Sequence, residues 1–129
     1  KYVESDYSLI KDVIMPRYHK DCVAIFSKTT PFIHPTVMVR RTFFDKVGLY
    51  DKTLRKAQDY ELWARGMRLG NYANIPDILF EYTVQRNKSY KTIFQELKVK
   101  TMCSYKYNFF FSSLRYSIFG FILVLVSKH

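Results

Sequence analysis

Turn-formers and thiols are scarce in this chain: four glycines, four prolines and two cysteines among 129 residues. That scarcity excludes collagen-like repeats and low-complexity linkers. Cys22 and Cys103 form no C-x-x-C pair, and His19, His34 and His129 stand far apart. The spacings of a zinc site or a redox motif are therefore missing, and two buried, reduced thiols are expected. No D-x-D pair and no glycine-rich phosphate loop occurs anywhere in the chain. No signal or transit pattern opens it, and residues 1–15 already alternate like a strand with its turns, so a piece of a longer protein is expected. The unbroken apolar run Ile118 to Val126 is nine residues. A membrane-spanning helix needs about 20, so no span is expected.

Aromatic residues and positive charge are abundant. Tyrosine and phenylalanine number eleven each, and hydrophobic residues make up 48% of the chain. A chain of this size buries a modest core, with flat faces to spare for packing or for stacking on a ligand. The 21 Lys and Arg against 11 Asp and Glu leave a formal charge of +10. Such an excess suits an anionic partner or, equally, a solvated basic surface.

The apolar run Val23 to Phe26 reads as either helix or buried strand. Pro31 and Pro35 bracket an extended segment, because the residue before a proline is pushed out of the helical region. Thr36 to Val39 continues as an expected strand. Arg41 to Val47 reads as a short helix stopped by Gly48, and 49–57 as a basic connection. A second helix is expected from about Asp59 to Leu69, with Tyr60, Trp63 and Met67 on one face. Asn71 to Ile75 and Ile78 to Thr83 read as two short strands around Pro76-Asp77. Ser89 is placed to cap a long helix, Tyr90 to Tyr107. The apolar tail that follows suits an interfacial helix, with Lys98, Lys100, Lys106 and Arg115 available for anionic lipid, or a helix packed on the domain.

The stretch from His34 to Arg65 carries the chemistry. Gln58-Asp59-Tyr60-Glu61 opens the second helix, so Asp59 lies near a helix N-terminus with Trp63 and Arg65 within two turns. A fixed carboxylate beside an aromatic face and a cation can handle a polyhydroxylated substrate. The same pattern also begins an ordinary capped helix. Trp63 reads first as a core residue, Arg65 as the partner of Glu61 one turn earlier, and His34 as a structural hydrogen-bonder.

Three blocks in order, His34-Pro35-Thr36-Val37-Met38-Val39-Arg40-Arg41, Val47-Gly48-Leu49-Tyr50-Asp51 and Gln58-Asp59-Tyr60-Glu61-Leu62-Trp63-Ala64-Arg65, resemble the second half of family 2 glycosyltransferases. Asn74 to Tyr82 resembles the strand pair that follows them. The resemblance covers roughly Lys20 to Ser89. It implies an α/β fold: the C-terminal portion of a GT-A (nucleotide-diphospho-sugar transferase) fold, a mixed sheet with helices over 1–107, followed by an apolar helical tail over 108–129.

It also implies an inverting sugar transfer from a nucleotide-diphosphate donor to an acceptor hydroxyl of a glycan or lipid-linked molecule, at the cytoplasmic side and peripheral to the membrane. Asp59 would be the general base, with Gln58, Tyr60, Trp63 and Arg65 as substrate-binding support. A helix N-terminus favours the ionised carboxylate, whereas enclosure by Tyr60 and Trp63 opposes it. A divalent metal, Mg or Mn, is expected in the full-length enzyme, held mainly by a donor-side half carrying a D-x-D pair. That pair is missing here, so the chain alone is expected to be inactive and to hold no metal. The family's Y-R-x-H run is replaced by Tyr82-Thr83-Val84-Gln85, which weakens any carry-over of diphosphate binding to that position. The competing expectation is a non-catalytic basic module that binds anionic membrane or nucleic acid; no specific nucleic-acid motif is present.

Overall fold

The computed structural model describes residues 2–3, 9–26, 28–83 and 89–107. Helices dominate. In chain order the elements are β1 (Tyr2–Val3), β2 (Leu9–Lys11), α1 (His19–Phe26), a 3-10 turn (His34–Thr36), α2 (Arg41–Val47), α3 (Gln58–Gly66), β3 (Tyr82–Thr83) and α4 (Tyr90–Lys106).

The core gathers around α3, a helix whose residues Tyr60 to Ala64 are all buried. Trp63 and Leu62 are sealed in by Phe26 and Cys22 of α1, Phe32, Val47 of α2, and Val99 and Cys103 of α4. Tyr60 stacks on Phe26 with ring centroids 4.6 Å apart, and its hydroxyl donates to the Phe26 carbonyl at 3.0 Å. Both thiols are free and buried. The ambiguous run before Phe26 is helical.

Local chemistry sets the helix boundaries. At the end of α2, Gly48 adopts φ 86° and ψ 174°, a conformation that only glycine takes easily, and its N–H returns to the Phe44 carbonyl. At the start of α4 the Ser89 side chain accepts from the Thr92 N–H. Helix α3 stops at Gly66, short of the expected Leu69. Beyond it the chain tightens, with Leu69 and Gly70 N–H groups both donating to the Gly66 carbonyl.

The expected strands are mostly not formed. Pro35 starts a 3-10 turn, because its fixed φ suits the first helical position. The Thr36 N–H and hydroxyl both bond to the Ile33 carbonyl, at 2.9 and 2.8 Å. Val37 to Arg40 then runs without a regular partner, and Met38 is 97% exposed. Residues 71–81 are likewise irregular; only Tyr82–Thr83 of the expected pair forms a strand. It lies parallel to β1, which pairs antiparallel with β2, giving the order β2-β1-β3. Three strands this short do not define a GT-A sheet. The tail over 108–129, with the apolar helix expected there, and the departure at Gln85 lie outside the described residues, whereas the departure at Thr83 falls in β3.

Asn74 fastens the irregular 71–81 segment. Its side-chain amide donates to the Pro16 carbonyl at 2.6 Å and the Pro31 carbonyl at 3.1 Å, and its backbone N–H to the Arg17 carbonyl at 3.1 Å. Between this segment and Val37 to Phe43 lies an open cleft of about 800 Å³, floored by Phe32, Phe43, Trp63 and Tyr72.

Candidate functional site

Asp59 sits in the first turn of α3, half-buried. It does not cap the helix. The N-cap is Ala57, held in the left-handed region at φ 55° and ψ 30°, with no side-chain cap. A methyl-bearing residue in that region is strained by about 1 to 2 kcal/mol. The turn therefore holds an unfavourable backbone two residues before the carboxylate.

One helical turn on from Asp59, on the same face, stands Trp63. The His34 ring approaches Trp63 at 6.3 Å between centroids and meets the Tyr50 ring edge-on at 6.1 Å. Tyr50 closes the circle. Its phenol is held above the ordinary tyrosine range, first by partial burial and then by the nearby Asp59 charge. His34 and Tyr50 are both exposed. A phenol and an imidazole thus meet at the surface near a buried indole, and the Asp59 charge acts on the phenol.

Arg65 holds this arrangement together from below. Its Nε and Nη2 reach the two oxygens of Glu61, each at 3.0 Å. Its Nη1 donates to the Val47 carbonyl, and Nη2 also to the Leu49 carbonyl at 2.7 Å. Those carbonyls flank Gly48, so the bonds fix the loop that leads into Tyr50. Glu61, only 3% exposed, also accepts from the Tyr107 hydroxyl at 2.8 Å, which joins the end of α4 to the network. The Glu61 hydrogen bond and charge raise Arg65 further above its already high value.

The structure thus assigns each expected substrate-binding side chain a position within the fold. Gln58 donates to the Leu54 carbonyl and closes the 54–58 turn. Tyr60 and Trp63 are buried, at 4% and 2% exposure, and turn inward instead of enclosing Asp59. Arg65 is held by Glu61 and two carbonyls. The Trp63 indole N–H, packed edge-on to Phe32 at 5.6 Å, has no hydrogen-bond partner among the described residues. The large cleft is lined by Trp63 but by none of Gln58, Asp59, Tyr60 or Arg65.

Tyr50 was not among the residues the sequence singled out, and His34 was read as structural. The available signal was Tyr50's position two residues past the glycine stop. Among the described residues no group of three His, Cys, Asp or Glu side chains converges on a point, and none offers a ligand set for the implied divalent metal. No helix among them is long and apolar enough to cross a membrane. Comparison with protein families, curated proteins and solved structures finds no match for this chain.

Proposed function

We propose that this chain is the acceptor-side half of an inverting glycosyltransferase, peripheral to the cytoplasmic face of a membrane, with Asp59 as general base. The reading rests on one observation: the ordered blocks ending in Gln58-Asp59, whose aspartate acts electrostatically on the exposed Tyr50, itself edge-on to His34. In this reading Val37 to Arg40 and 75–81 complete a sheet begun in a donor-side half, which also holds the nucleotide-diphosphate sugar and its metal.

Asp59 accepts the proton of an acceptor hydroxyl as that oxygen attacks the anomeric carbon. Tyr50 contributes an aromatic edge and a protonated phenol, which suits a sugar ring and its hydroxyls. Arg65 acts indirectly, by fixing the loop that carries Tyr50.

The test is Asp59→Asn in the full-length protein, with transfer assayed from a panel of nucleotide sugars. The expected loss of kcat is about 10²- to 10⁴-fold, while stability changes by no more than about 1 kcal/mol, the value of a charge in a helix's first turn. Near-normal turnover removes the general-base assignment. Tyr50→Ala is expected to raise the acceptor KM far more than it lowers kcat.

A further inference from the structure

Helix α4 presents a face whose chemistry differs from the rest of the molecule. Its inner side is fixed: Val99, Cys103 and Ser104 are buried, Lys100 lies over the Tyr60 ring at 5.6 Å, and the Tyr107 hydroxyl meets Glu61. At 3.6 residues per turn, Tyr90, Phe94, Lys98, Thr101 and Tyr105 fall within an arc of roughly 80° on the outer side. Lys91 and Met102 border that arc. Tyr90 is 55% exposed, Phe94 61%, Met102 40% and Tyr105 76%. Lys91, Lys98 and Lys106 are exposed as well, and Glu96, the helix's one carboxylate, lies on the half-buried side.

Exposed aromatics in a row, flanked by lysines and free of carboxylates, are costly to leave in water and repel other cations. We propose that this face of α4 docks on an anionic lipid bilayer. Tyr90, Phe94 and Tyr105 would enter the headgroup region, where a ring with a polar tip is favoured, and Lys91 and Lys98 would meet the lipid phosphates. The helix is 17 residues long and convex, and it carries no arginine. A single-strand nucleic-acid site instead tracks its ligand through a basic groove. The sequence that follows Tyr107, Phe109 to Val126, is itself strongly apolar. Of the lysines the sequence offered to lipid, Lys100 is turned inward and Lys91 takes its place. This inference deepens the membrane-peripheral part of the proposed function and does not rest on the Asp59 chemistry, so each can fail without the other.

The experiment is vesicle flotation of the whole chain with phosphatidylcholine alone and with 30% phosphatidylglycerol. Binding is expected only to the anionic vesicles, and to weaken as salt rises. Lys91→Gln with Lys98→Gln should weaken it on the order of 30-fold, and Phe94→Ser with Tyr105→Ser at least about tenfold. Phe94→Trp adds a reporter, since Trp63 is sealed in the core; brominated lipid should quench the new indole. The inference is overturned if anionic vesicles do not bind, if neither double variant weakens binding, or if Trp at 94 stays unquenched in the bound state. Binding of a single-stranded 20-mer in place of vesicles would overturn it too.

Discussion

Arg65 uses both faces of its guanidinium inside the protein, two bonds to Glu61 and two to the carbonyls of Val47 and Leu49. Removing it leaves Glu61, with a side chain 4% exposed, as a charge whose remaining hydrogen bond among the described residues is to the Tyr107 hydroxyl. Breaking such a pair costs about 3 kcal/mol, so Arg65→Leu is expected to lower the unfolding free energy measured in urea by that amount. In the transferase reading the same variant disturbs acceptor binding, because the loop carrying Tyr50 loses its tether. At Ala57 the sign is opposite. Glycine relieves the left-handed strain of about 1 to 2 kcal/mol and gives back part of it as chain entropy, about 0.5 to 1 kcal/mol. Ala57→Gly should therefore stabilise the fold by roughly 0.5 kcal/mol in the same measurement.

Helices α2 and α4 were legible from the sequence because their ends are local chemistry: a glycine stop in one, a serine cap in the other. The extended segments were not. A strand is decided by its partner across the ladder, and β-branched Val37 and Val39 have none among the described residues, while Pro35 supplies a competing turn. Glycine also sets how closely α2 and α3 pack. A Cβ on Gly66 would come within 2.4 Å of the Phe43 ring and 2.7 Å of the Tyr72 hydroxyl. Gly66→Ala gains about 1 kcal/mol of helix propensity and loses about 1 to 3 to overpacking. A net drop of about 1 kcal/mol is expected in chemical denaturation. Asp59 was readable as a helix-start residue. The Tyr50–His34 pair was not, because the loop that carries Tyr50 is set by the Arg65 tether and His34 by packing near Trp63.

Across the whole molecule, burial keeps a set of acidic protons in place. The Cys103 thiol is pushed from an ordinary value of 9.0 up to about 12, first by burial and then by the Glu61 charge. Tyr60 and Tyr72 are raised chiefly by burial, and Tyr107 by burial and its bond to Glu61. The unfolded chain releases these protons at lower pH than the folded one. Stability contributed by Cys103 is therefore complete below about pH 9 and lost as pH rises toward 12. Urea midpoints measured across that window should fall; a rise would contradict the burial. Asn74 has a different consequence. Its one side chain and one backbone bond hold a segment with no ladder of its own, in which Leu79 is 73% and Phe80 45% exposed. Amides at 77–81 should exchange with deuterium far ahead of those in α3, and chymotrypsin should nick the native chain there ahead of sites in α3. Asn74→Ala would turn that slow nick into a fast one, marking the latch by how quickly the chain is cut.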